Sequence, residues 1–161
     1  MTTILITGAN RGIGFHLAQE ALEKGWKVFG SVRTEAQAEQ TAAELGPGFT
    51  PLVFDVTDRT TMSGVADSVD EPIDILINNA GISRHGDMES TTYEDFQLLM
   101  DIDLNSVFLG CQAAIPVMRE SGGGSIVNIS SVAGIMGNPN TVAYGTAKAG
   151  VRYLTKCVAL D

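Results

Sequence analysis

Thr7-Gly8-Ala9-Asn10-Arg11-Gly12-Ile13-Gly14 decides how the rest of the chain is read. An apolar run, Thr3–Thr7, leads into it, and a segment with apolar residues at helical spacing, Gly12–Lys24, leads out. A strand that passes into a helix through a glycine-rich turn leaves unpaired helix N–H groups at the strand's carboxyl end, where they attract an anion. Glycine meets three needs in such a turn. Gly8 takes the tight turn, Gly12 lets the backbone approach a pyrophosphate, and Gly14 lets the helix pack on the strand. The spacing is G-x-x-x-G-x-G, unlike the G-x-G-x-x-G of other dinucleotide folds, and no Lys-Ser/Thr pair closes it as in a P-loop. Taken alone, the turn also fits a βα connection with no ligand.

Working outward, short apolar runs alternate with longer helical patterns. Strands are predicted at Thr3–Thr7, Lys27–Val32, Thr50–Asp55, Ile73–Asn78 and Ser125–Ser130, each of the length of a strand buried on both faces. Helices are predicted near Gly12–Lys24, Glu35–Leu45, Arg59–Val69, Thr92–Arg119 and Thr141–Leu160. Strict strand–helix alternation implies βαβ units: an α/β, Rossmann-type doubly wound parallel sheet, read as a single domain over 1–161. Trp26, Phe29 and Phe54 are candidate core residues.

The second strand carries the argument about the cofactor. An NAD site usually places an acid at that strand's end, against the ribose 2′-hydroxyl. Here the strand ends Gly30-Ser31-Val32-Arg33, with Val32 near the acid's place. Arg33, together with Arg11 in the glycine turn, suits a 2′-phosphate, which guanidinium groups hold by charge-assisted bidentate hydrogen bonds. NADP(H) is therefore expected over NAD(H), the other reading of Arg33 being a solvated charge at a helix start. In Phe54-Asp55-Val56, an acid at a strand's carboxyl end can accept from an adenine amino group. Alternatively Asp55 caps the next helix, a task Asp58 is equally placed to do.

Tyr144 and Lys148 stand four apart in Tyr144-Gly145-Thr146-Ala147-Lys148, on one face of a helix. A free phenol titrates near ~10, and a neighbouring ammonium favours its ionised form, which suits proton transfer to or from a carbonyl or alcohol oxygen. Ser131, 13 positions earlier, is expected to end the fifth strand, with its hydroxyl in the crevice where a substrate oxygen would lie. Ser130 is expected to point away.

Together these segments resemble the short-chain dehydrogenase/reductase family, along the whole chain. Thr7–Gly14 resembles its cofactor loop, Asp55 its adenine-binding acid, and Asn78-Asn79-Ala80-Gly81 the segment that ends its fourth strand and lines the cofactor. Ser131, Tyr144 and Lys148 match its catalytic residues. The resemblance implies a carbonyl/alcohol oxidoreductase with a small-molecule substrate. Hydride passes to or from nicotinamide, and Lys148 also holds the nicotinamide ribose. It further implies cofactor contacts from Gly8, Asn10, Arg11, Gly12, Ile13 and Gly14, then from Arg33, Asp55 and Val56, and then from Asn79, Ala80 and Gly81. Two departures stand out. The family's catalytic Asn aligns with Asp103 in Met100-Asp101-Ile102-Asp103-Leu104, and Asn105, two positions on, lies on nearly the opposite side of a helix. The family's usual length, about 250 residues, exceeds this chain's 161. The chain stops in helical periodicity with no Gly or Pro stop, and the fifth strand is left at an open edge, so something is expected to follow. By the resemblance, that part holds two further strands, a Pro-Gly segment at the nicotinamide, a substrate lid and much of a dimer or tetramer interface shared with the fourth and fifth helices. A chain without it would bind cofactor yet react poorly, because catalysis needs water excluded and reactants aligned. A cofactor-binding fragment or regulatory module is the competing expectation.

The formal net charge of −9 argues against a nucleic-acid surface. Cys111 and Cys157 fit no metal or redox spacing and are expected to be buried free thiols. His16 and His85 have no companion at metal-ligand spacing, and His85, Gly86 and Met88 are candidates to border substrate. No basic leader and no apolar window of membrane-span length are apparent in the sequence, so a cytoplasmic protein is expected.

Overall fold

The computed structural model describes residues 1–160. Five strands, β1 (Thr3–Ile6), β2 (Lys27–Val32), β3 (Phe49–Val53), β4 (Ile75–Asn78) and β5 (Ser125–Asn128), form one parallel sheet in the order β3-β2-β1-β4-β5. Six helices connect or follow them: α1 (Gly12–Glu23), α2 (Glu35–Leu45), α3 (Arg59–Gly64), α4 (Tyr93–Met100), α5 (Ser106–Glu120) and α6 (Val142–Val158).

Alternation along each strand feeds two cores. On one face Ile4, Ile6, Val28 and Ile77 meet Ala18 and Ala21 of α1. On the other, Leu5, Phe29, Leu76 and Ile73 meet Ala114 and Met118 of α5. β1 is buried throughout because strands flank it on both sides and helices cover both faces. β5, at the edge, alternates exposed and half-buried residues. Phe29 and Phe54 are core residues, whereas Trp26 is half-buried at the rim of the first cluster.

Local chemistry sets the boundaries. The predicted third strand stops at Val53, two residues short, because Asp55 Oδ1 accepts from the Thr57 N–H (2.9 Å) and hydroxyl (2.8 Å) and turns the chain. Asp58, not Asp55, caps α3, accepting from the N–H groups of Thr60 and Thr61. The predicted fifth strand ends at Asn128 instead of Ser130.

The predicted helix Thr92–Arg119 divides into α4 and α5 at a π-helical turn, Asp101–Asn105. Contrary to the sequence expectation, the continuous run Tyr93–Glu120 is long and apolar enough to cross a membrane by length and composition. Within that run Val107, Cys111, Ala114 and Met118 are buried against the sheet and α6.

Candidate active site

Strand order reverses between β1 and β4, and their carboxyl ends open the crevice in which sheets of this type receive ligands. Thr7 and Asn79 lace the two ends together. Thr7 Oγ1 accepts from the N–H groups of Asn79 (2.9 Å) and Ala80 (3.0 Å), and Asn79 Nδ2 donates to the carbonyls of Thr7 (2.8 Å) and Gly8 (3.1 Å). The Asn79 side chain thus shapes the glycine turn. Ser31 of β2, buried, accepts from the Gly8 N–H at 2.9 Å, and its carbonyl accepts from Ala9 N–H at the same distance. Thr7 belongs to the loop read from the sequence, whereas Ser31 is a site residue not singled out there; its signal is polarity inside an otherwise apolar strand, where a hydroxyl needs a partner.

The turn retains the shape of an anion cradle. Gly12 takes φ +59, and a Cβ there would meet nothing within 4 Å, so open space lies over it. A Cβ at Gly14 would overlap the Gly8 carbonyl oxygen, so glycine is what lets α1 sit on β1. Arg11 precedes α1 in extended conformation, and no side chain caps the helix, leaving its first N–H groups available to an anion. Asn10 is half-buried, and Arg11 and Ile13 are exposed at the mouth. Arg33 is exposed at the start of α2, and neither Arg11 nor Arg33 has an ion-pair partner among the described residues. Asp55 is exposed and Val56 buried in the next turn. These features fit a nucleotide diphosphate.

The second half of the site is built on α6. Ser131 lies three residues beyond β5, so it leaves the sheet instead of ending a strand. It caps a short 3₁₀ turn, Val132–Gly134, its Oγ accepting from the Ala133 N–H at 3.2 Å. That turn sits directly on α6: a Cβ at Gly134 would lie 2.6 Å from the Lys148 carbonyl carbon. Ser130 turns to the same helix and donates to the Lys148 carbonyl at 2.8 Å.

Lys148 is buried, with its ammonium 5.8 Å from the centroid of the half-buried Tyr144 ring. It donates to the Ile129 carbonyl at 3.1 Å and stands 3.0 Å from Asp103 Oδ1. Asp103 has no exposed surface. Its Oδ2 accepts from the Ile82 N–H at 3.1 Å, whereas the Oδ1 contact with Lys148 is an ion pair whose angles fall short of a hydrogen bond. Burial pushes the Asp103 carboxyl up, and the Lys148 ammonium and Ile82 N–H oppose that rise. Gly81 borders the pair, since a Cβ there would lie 2.7 Å from Asp103 Oδ1. Asn105 turns away and donates to Asp101.

The loop after β4 is tied to the segment that leads into α6 and to α4. Gly86 N–H donates to the Asn140 carbonyl at 2.9 Å, and Arg84 pairs with Asp95 of α4. His85 and Met88 are exposed on this loop. Cys111 is a buried free thiol as expected, but Cys157 is exposed on the last turn of α6.

Residues 2–161 match the family described as short chain dehydrogenase. Among relatives, a 3-beta-hydroxysteroid dehydrogenase of Comamonas testosteroni is 38% identical over 98% of this chain and 63% of its own length. An NADP-dependent (R)-specific alcohol dehydrogenase of Lentilactobacillus kefiri is 34% identical over 98% of this chain and 65% of its own. The chain thus spans a little under two thirds of the length of these relatives. Among solved structures, serine dehydrogenase from Escherichia coli superposes with TM-score 0.94 at 28% identity, over 99% of this chain and 76% of that one. A short-chain dehydrogenase from Streptomyces avermitilis gives 0.92 at 32% identity, over 98% of this chain and 59% of that one. Sequence match, sheet order and the convergence on α6 agree: this chain belongs to the short-chain dehydrogenase/reductase family.

Proposed function

We propose that this protein is an NADP(H)-dependent oxidoreductase that interconverts a small carbonyl compound and its alcohol. The observation that carries the reading is the Lys148 ammonium, buried and held against the Tyr144 ring on the helix that also seats the turn begun by Ser131.

Gly8, Asn10, Gly12, Ile13 and Gly14 would hold the diphosphate, and Asp55 and Val56 the adenine side. Asn79, Ala80 and Gly81 would line the nicotinamide side. Arg11 and Arg33, both exposed and without an ion-pair partner among the described residues, favour a 2′-phosphate, and the NADP named for the Lentilactobacillus relative is in keeping with that. A bound nicotinamide supplies or accepts the hydride. Tyr144 moves the proton at the substrate oxygen, Ser131 donates a hydrogen bond to that oxygen, and Lys148 holds the ribose hydroxyls and sets the charge beside the phenol. Asp103 fixes Lys148 from behind. The partners of this reading are small molecules and further copies of the chain through the α4–α5 and α6 faces, in the cytoplasm, with no nucleic acid or membrane.

Tyr144→Phe is expected to abolish NADPH oxidation with a panel of ketones, leaving NADPH affinity within about twofold, since the phenol acts on the reacting oxygen. Undiminished turnover in that variant removes Tyr144 from the mechanism. A second reading, a cofactor-binding or regulatory module of low activity, is favoured by Asp103, a buried acid where the family's catalytic Asn aligns. NADPH binding without turnover of any ketone in the panel selects it.

A further inference from the structure

We propose that Asp103 tunes the proton transfer at this centre: its buried carboxylate offsets the Lys148 charge beside Tyr144, so Tyr144 holds its proton more firmly than it would beside an unpaired ammonium. The inference rests on the oxidoreductase reading above and concerns the charge state of that same site.

The geometry is specific. Asp103 is wholly buried, with Oδ1 3.0 Å from Lys148 Nζ and Oδ2 accepting from the Ile82 N–H at 3.1 Å. Burial raises the carboxyl's titration, and both contacts oppose it by favouring the ionised form. An ammonium alone beside the ring would favour a phenolate, but an ammonium paired with a carboxylate presents little net charge. The pair has few rivals among the groups packed around it. On α6 itself, Arg152 donates to the Gly134 carbonyl, and Tyr153, Lys156 and Cys157 are exposed. In the π-helical turn, Asp101 is held by Asn105. On α4, Tyr93 and Glu94 are exposed, and Asp95 pairs with Arg84 of the loop that also carries exposed His85. On α5, Cys111 lies against Asn78 and Asn128, and Arg119 and Glu120 are exposed in its last turn. β5 and the 3₁₀ turn after Ser131 carry no titratable side chain.

The test is a pH titration of the chain labelled with ¹³Cζ-tyrosine, without cofactor. Tyr144 is one of three tyrosines and is assigned by the line lost in Tyr144→Phe. Asp103→Asn is expected to move the Tyr144 midpoint down by about one pH unit, as removing one charge across a partly buried gap should. Asp103→Ala is expected to move it the same way. An unmoved midpoint, or one that rises, overturns the proposal. Should neither variant fold, the ¹³Cγ shift of Asp103 in the wild-type chain decides: a carboxylate at neutral pH supports it, a protonated acid overturns it. NADPH titrations of the same proteins report separately on the oxidoreductase reading, so the two can fail independently.

Discussion

A carboxyl group with no exposed surface burdens the fold in its ionised form, and Asp103 shows this through its raised titration. The sign follows from linkage. A carboxyl whose value is higher in the folded than in the unfolded chain, where it is about 3.9, adds stability at low pH. It loses that contribution as pH rises through the raised value. The melting temperature of the wild type, relative to Asp103→Asn, is therefore expected to fall as pH rises from about 4 and then level off. Measured by calorimetry across that range, a relative value that climbs with pH contradicts the burial-dominated account. The arginines offer a separate test at the same scale. Arg33→Ala is expected to weaken NADPH binding about tenfold, the loss of one charge-assisted contact, while leaving NADH binding unchanged. Equal losses for both cofactors in parallel titrations contradict a 2′-phosphate role.

At the scale of elements, what could be read from sequence was what periodicity encodes. Lys27–Val32 and Glu35–Leu45 were legible to the residue because an apolar run and a helical stripe each end at a polar boundary. Asp55 was assigned to a strand because apolar character continues through Phe54 and Val56, and its side-chain turn with Thr57 leaves no periodic trace. The π-helical turn was hidden for a related reason. It inserts one residue into a pattern that reads as helix on both sides, yet it is where Asp103 meets Lys148. The site's polar scaffold was the other gap. Ser31 is a short polar residue in an apolar strand and Thr7 follows one directly, and only the side-by-side placement of β1, β2 and β4 shows which N–H groups they satisfy. Ser31→Ala strands the Gly8 N–H next to the glycine turn. It is expected to destabilise the chain by about 1–3 kcal/mol in urea unfolding, the range for an unsatisfied buried donor. A loss below about 0.5 kcal/mol would mean that water or a backbone shift replaces the serine.

At the scale of the molecule, the sheet order places two independent constructions at one crevice. The glycine turn and α1 form one, and α6 with the turn after Ser131 forms the other. Each was legible in sequence as a motif. That both open onto the same crevice follows from β1 and β4 lying side by side, which the strand–helix alternation implies only in outline. The most direct test of that convergence is NADPH titration of the wild-type chain and of Gly12→Val, followed by nicotinamide fluorescence. Valine at Gly12 projects into the open space over the turn and also strains the backbone at φ +59, so both the space and the shape of the cradle are lost. The account predicts saturable binding to the wild type and at least about a hundredfold loss in the variant, as expected when a diphosphate loses its cradle. Wild-type protein that fails to bind NADPH, or a variant that binds it equally well, contradicts the account.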